Sequence, residues 1–109
     1  MKVPRELDDC QVLYWLPYPE PESNGPDEPM SHGHALVECP MERGTYNAKR
    51  DMIDGRPPTQ LFGVDVDANG LPLWVTDYWH ESEEAFLEDL KRWAHGMPLL
   101  RPGDEIPDH

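Results

Sequence analysis

Leu61-Phe62-Gly63-Val64-Asp65-Val66-Asp67-Ala68-Asn69-Gly70-Leu71-Pro72-Leu73-Trp74-Val75-Thr76 is the stretch that decides the fold. Apolar residues alternate with Gly63, Asp65 and Asp67 on one side of Asn69-Gly70, and with Pro72, Trp74 and Thr76 on the other. An Asn-Gly pair between two period-2 runs predicts a hairpin over 61–76 closed by a type I′ turn, which needs positive φ at both central residues. In that register Ala68 faces Leu71, Val66 faces Leu73 and Val64 faces Val75, so one face is wholly apolar. Asp65, Asp67 and Trp74 are then expected on the outward face. Pro72 falls opposite Asp67, which puts its strand at an edge or ends the ladder there.

Working outward, Ser82 is placed as the N-cap of a helix over 83–95. Glu83 and Glu84 complement its positive end, and Phe86, Leu87, Leu90, Trp93 and Ala94 form one apolar face. Gly96 and Pro98 are the stop signals. Upstream, Gln11–Leu16 reads as a buried strand ended by Pro17. Gly33–Cys39 reads as a second strand, with Ala35, Val37 and Cys39 on one face and Leu36 and Glu38 on the other. Between them, residues 17–31 hold five prolines and an Asn24-Gly25 turn signal, and are expected to form an extended acidic loop. Asn47–Ile53 has room for one or two helical turns before Gly55-Arg56-Pro57-Pro58. Residues 102–109 read as a flexible tail.

These parts predict a single α+β domain spanning 1–109: an antiparallel sheet of three to four strands packed by one C-terminal helix. The expected inner set is Val12, Tyr14, Leu16, Val37, Phe62, Val64, Val66, Leu73 and Val75 against Phe86, Leu90 and Trp93. Four tryptophans and four tyrosines argue against a disordered chain despite the 13 prolines. The N-terminus has no apolar core of a secretory signal, and no stretch approaches the roughly 20 apolar residues that span a bilayer. The expectation is therefore a cytoplasmic protein with no membrane contact, in which Cys10 and Cys39 are free thiols.

Charge is the outstanding feature: 22 acids against 9 bases give −13. From Glu6 through Glu42 there are nine acids and no lysine or arginine, and from Pro57 through Leu90 eight acids and again no base. The bases sit in islands, Arg43, Lys49, Arg50 and Arg56, then Lys91, Arg92 and Arg101. Such segregation repels nucleic acid, whose phosphates require Lys and Arg, and attracts a basic partner.

Motifs for chemistry are weak. Asp65-Val66-Asp67-Ala68-Asn69-Gly70 matches the first half of an EF-hand loop, but Thr76 stands where the closing Glu should be and Pro72 where an aliphatic residue should be. Cys10, His32, His34 and Cys39 supply zinc-ligand types without the paired spacing that zinc sites use. His80 and His95 flank the helix and read as surface residues. Nucleophile elbows, phosphate loops and zinc-protease helices are all missing, so the expectation is a non-enzyme without a cofactor.

What remains is the acidic surface. By strand rise, Asp65 and Asp67 would lie about 6.6–7 Å apart, and Glu84 and Glu88 one helical turn apart, about 6 Å. Rows of carboxylates at such spacing imitate phosphates for a protein whose groove is lined with Lys and Arg. The candidate partner-binding residues are Asp65, Asp67, Asp77, Glu81, Glu84, Glu88, Glu20, Glu22, Asp27 and Glu28. Trp74 joins them as an aromatic anchor, unless the 17–31 loop covers it. In size and charge, though in no alignable motif, the chain looks like small phage-encoded counter-defence proteins, anti-CRISPR proteins and other DNA mimics. The implied function is an inhibitor that occupies the basic nucleic-acid-binding surface of a partner. An immunity protein against a basic nuclease toxin and a non-catalytic accessory or metal-binding domain are the alternatives.

Overall fold

The computed structural model describes residues 1–40, 59–93 and 98–107. Among these residues the strands are β1 (Glu6–Leu7), β2 (Cys10–Glu22), β3 (Ser31–Pro40), β4 (Thr59–Val66) and β5 (Pro72–His80), followed by the helix α1 (Glu83–Trp93). The strands hydrogen-bond in sequence order β1-β2-β3-β4-β5, every pair antiparallel, and the sheet is nearly barrel-shaped. The protein is therefore mostly β, and the expected α+β arrangement of three to four strands under one helix is corrected.

Two misreadings account for the difference. Pro17 does not end β2, which runs on through Pro19 and Pro21 to Glu22. Trp15 exchanges backbone hydrogen bonds with Leu100 on the side of β2 away from β3. Pro17, two residues on and paired with Gly33 in the same register, turns its missing N–H to that same free side. A proline costs a strand little where no ladder bond is lost. Pro19 and Pro21 fall where the register slips between Pro17 and Glu22. Only about half of the expected 17–31 loop is therefore loop.

The second misreading concerns the helix. It packs on the opposite face from Val37, Val64 and Val66. One core cluster joins Val12, Trp15, Ala35, Val37, Val64 and Val66 to Val3 and Leu7, with Leu100 and Ile106 packed against it. The other joins Leu16, Tyr18 and Leu36 to Phe86 and Leu90 of α1. The first face is covered by the chain ends. Gly103 and Val3, Asp104 and Val3, and Ile106 and Met1 are joined by backbone hydrogen bonds of 2.8–2.9 Å, so residues 102–107 are bound to the N-terminal segment where a free tail was expected. Residues 108 and 109 lie outside the described residues.

The hairpin forms, in a register one residue away from the expected one. Val66 pairs with Pro72 and Asp65 with Leu73. The loop is Ala68-Asn69-Gly70, and only Gly70 has positive φ, at 78°. Asp67 is the cause: its Oδ1 accepts from the backbone N–H of Asn69 (2.8 Å) and of Leu71 (3.0 Å). That aspartate-capped turn, with a glycine in the left-handed position, is the three-residue hairpin solution. An irregularity between Gly63 and Asp65 then shifts β5, so that Tyr78 faces Gly63, Trp79 faces Phe62 and His80 faces Leu61.

Ser82 caps α1 as expected, its Oγ accepting from Ala85 N–H at 3.1 Å. The helix is described to Trp93, and the expected end at Ala94, His95 and Gly96 lies outside the described residues. So do Asn47–Ile53 and the island Arg43, Lys49, Arg50 and Arg56. Cys10 and Cys39 form a disulfide, which corrects the expectation of free thiols. The β1–β2 turn and the β2–β3 register bring their Cα atoms within 4.3 Å. No described helix is long and apolar enough to cross a membrane.

Candidate functional site

The helix-side face of the sheet carries polar residues where its apolar counterpart carries valines. His34 on β3 and Asp65 on β4 are direct cross-strand partners, and His34 Nδ1 lies 2.8 Å from Asp65 Oδ1. Tyr18 Oη donates to the same oxygen at 2.8 Å, and Ser31 Oγ donates to Oδ2 at 2.8 Å. Asp65 is only 15% exposed and His34 4%. Burial alone would raise the carboxyl's pKa, but donation from His34, Ser31 and Tyr18 outweighs it and holds Asp65 below the usual carboxylate range. Burial, and then the bond to Asp65, push the Tyr18 phenol far up, so it stays a donor.

His80, at the end of β5, completes the floor. Its Nδ1 is 4.0 Å from Asp89 Oδ2 of α1, while its buried Nε2 has no hydrogen-bond partner. Burial and the neighbouring His34 both push its pKa down, with Asp89 opposing, so at neutral pH it is uncharged. Phe86 of α1 wedges against both imidazoles, stacked on His34 with centroids 5.8 Å apart and edge-on to His80 at 5.2 Å. Gly63 lies beneath them: a methyl group there would overlap His34 Nε2 and come within 2.7 Å of His80 Nε2. Glycine is required at that position by close approach.

Above this floor opens a cleft of about 760 Å³, bordered by Glu22 of β2, Tyr78 and Trp79 of β5, and Asp89 and Arg92 of α1. Tyr78 and Trp79 are 63% and 62% exposed. Asp77 and Glu81 flank them on the chain and are exposed. Neither these two acids nor Glu22 has an ion-pair partner among the described residues.

The expected site residues are therefore sorted differently. Asp65 is buried in a hydrogen-bond network and Asp67 caps a turn, so the row of outward acids along the hairpin does not exist. Glu88 pairs with Lys91 at 2.9 Å, and Glu84 is exposed one turn before it. Glu20, Asp27 and Glu28 are exposed and do not line the cleft; Glu22 borders it, and Asp77 and Glu81 are exposed neighbours in sequence of Tyr78 and Trp79. Trp74 is 37% exposed and is held neither by the 17–31 segment nor free: its indole N–H donates to Asp8 at 2.6 Å. The zinc quartet is not assembled. Cys10 and Cys39 are bonded to each other, His34 to Asp65, and the described residues contain no metal-competent group of three or more ligands.

Tyr18, Ser31, His80, Tyr78, Trp79 and Asp89 were missed. A signal existed for His34 and Asp65, which share the parity of Leu36 and Leu61 and so point to whatever covers that face. His80, expected at the surface, has a side chain only 10% exposed.

Fold and site together define a small antiparallel β domain with one capping helix and an acidic, aromatic-rimmed cleft. Comparison with protein-family models, with curated proteins and with solved structures gives no match.

Proposed function

We propose that this chain is a non-catalytic, acidic protein-binding domain that inhibits a basic partner by occupying the surface it would offer to nucleic acid. The observation that carries the reading is the exposure of Tyr78 and Trp79 at a cleft bordered by Glu22, with Asp77 and Glu81 next to them in the chain, acids with no ion-pair partner among the described residues. Exposed aromatics among polar neighbours are the residues on which protein interfaces concentrate their energy, and a net charge of −13 steers a basic partner toward them. Imitation of phosphates now rests on this rim and on the net charge, no longer on the pairs Asp65/Asp67 and Glu84/Glu88. A cytoplasmic place of work remains part of the reading only if the Cys10–Cys39 bond resists cellular thiols, because cytosolic disulfides are rare.

The test is capture of the partner from the native host by the whole chain, repeated with Tyr78→Ala/Trp79→Ala, and at about 50 and about 300 mM salt. The expected partner is lost with the double variant, weakens with salt and is displaced by duplex DNA. A partner retained by the variant and indifferent to salt would end the reading. One displaced by salt but not by DNA would remove the nucleic-acid-surface part alone.

A further inference from the structure

We infer that the cleft between the end of β2, β5 and α1 is a receptor for an arginine side chain of the protein partner. The inference rests on the docking reading above and names the group that enters.

Two features of the cleft ask for the same chemistry. The first is charge. Glu22 and Asp89 stand at its border and the ionised Asp65 at its floor, against Arg92 as the one cation among the described lining residues. The second is the aromatic rim. A planar guanidinium stacks on tyrosine and tryptophan faces and is less strongly hydrated than an ammonium, so Tyr78 and Trp79 favour arginine over lysine. Guanidinium also offers five N–H donors and no acceptor, which suits a border whose carboxylates, Glu22 and Asp89, can only accept. The volume of about 760 Å³ accommodates a long side chain together with the neighbouring backbone of its segment.

Arg92 sharpens the argument. It is exposed at the border of the cleft and has no ion-pair partner among the described residues. A like charge at the mouth opposes an incoming guanidinium, so its removal should tighten binding.

The experiment titrates the full-length chain with capped arginine (N-acetyl-arginine methylamide) and separately with capped lysine, following the Trp79 indole and His80 ring signals by NMR. Saturable millimolar binding of capped arginine is expected, several-fold tighter than capped lysine. Glu22→Gln/Asp89→Asn should weaken it by about tenfold or more, and Arg92→Gln should strengthen it by a few-fold. A thermal melt of each variant shows that the fold is intact. No saturable shift at Trp79 or His80, equal binding of the lysine probe, or unchanged binding in the double carboxylate variant would each overturn the inference. The wider reading fails separately. If capped arginine does not bind while Tyr78→Ala/Trp79→Ala still abolishes capture of the partner, docking stands and the arginine pocket falls.

Discussion

The two faces of this sheet are built from the same strands and solve different problems. On one, Ala35, Val37, Val64 and Val66 meet the chain termini in a contiguous apolar cluster. On the other, the intervening residues His34, Gly63 and Asp65 meet α1 through Phe86. The apolar face gains stability from area alone, about 25 cal/mol per Å² buried, and does not respond to pH. The polar face is held by hydrogen bonds whose donors and acceptors must all be present, and a missing one costs more than a present one contributes. Stability and binding potential thus lie back to back in one layer.

The largest effect should come where the two kinds of packing meet. Phe86 is 1% exposed and touches Tyr14, His34 and His80. Phe86→Ala should cost about 3–5 kcal/mol and loosen α1 from the sheet, seen as a lower denaturation midpoint. If the loss were under about 1 kcal/mol, α1 would not be integral to the site and the cleft would lack a fixed wall.

On the apolar face, the Cys10–Cys39 bond closes a loop of 29 residues. Chain-entropy reasoning assigns such a bond about 3–4 kcal/mol. Reduction, or Cys10→Ala/Cys39→Ala, should lower stability by that order at every pH between 5 and 8, as denaturant melts would show. Absence of any change under reductant would mean that the thiols are free in solution.

Asp65→Asn should cost about 2–3 kcal/mol at neutral pH, because three donors converge on a carboxylate that is charged only in the native residue. Unlike the disulfide effect, this one depends on pH. The folded pKa of Asp65 is lowered, so its contribution is full above the unfolded value of 3.8 and is lost as pH falls through the folded one. The folded pKa of His80 is lowered as well. Its uncharged form stabilises the fold above the unfolded value of 6.5, and that contribution drains away as pH drops below it. Wild-type stability should therefore decline from about pH 6.5 downward, and His80→Gln should flatten that upper part of the decline while leaving the acidic limb. A stability profile with the same slope in both proteins would place the proton uptake elsewhere.

How much of this was legible follows from the same contrast. The alternation in 33–39 and 61–66, the Asn69-Gly70 turn region and the Ser82 cap were readable because each is a local pattern. The register of the hairpin was not, since it depends on one side chain, Asp67, closing the turn onto Asn69 and Leu71. Pro17 reads locally as a strand end, although a strand tolerates a proline whose missing N–H faces a free edge. The largest error was to equate a polar strand face with an outward one. Asp65 alternates with Val64 and Val66 as a solvent-facing acid would, and nothing local reveals that His34, thirty-one positions earlier, is its cross-strand partner.

The smallest effect belongs to the part of the helix that looked most like a row of phosphates. Glu88 and Lys91 pair at 2.9 Å with both side chains about 70% exposed (69% and 71%), and the pairing lowers the Glu88 pKa. An exposed pair of this kind is screened by salt and loses side-chain freedom in forming, so it adds little to stability. Glu88→Gln should leave the melting temperature unchanged within error. It should also leave partner capture unchanged, because this acid is already matched by Lys91 and stands apart from Trp79 and Tyr78. A clear loss of capture in Glu88→Gln would move the docking surface from the cleft onto the outer side of α1, and would restore the helical carboxylates as its basis.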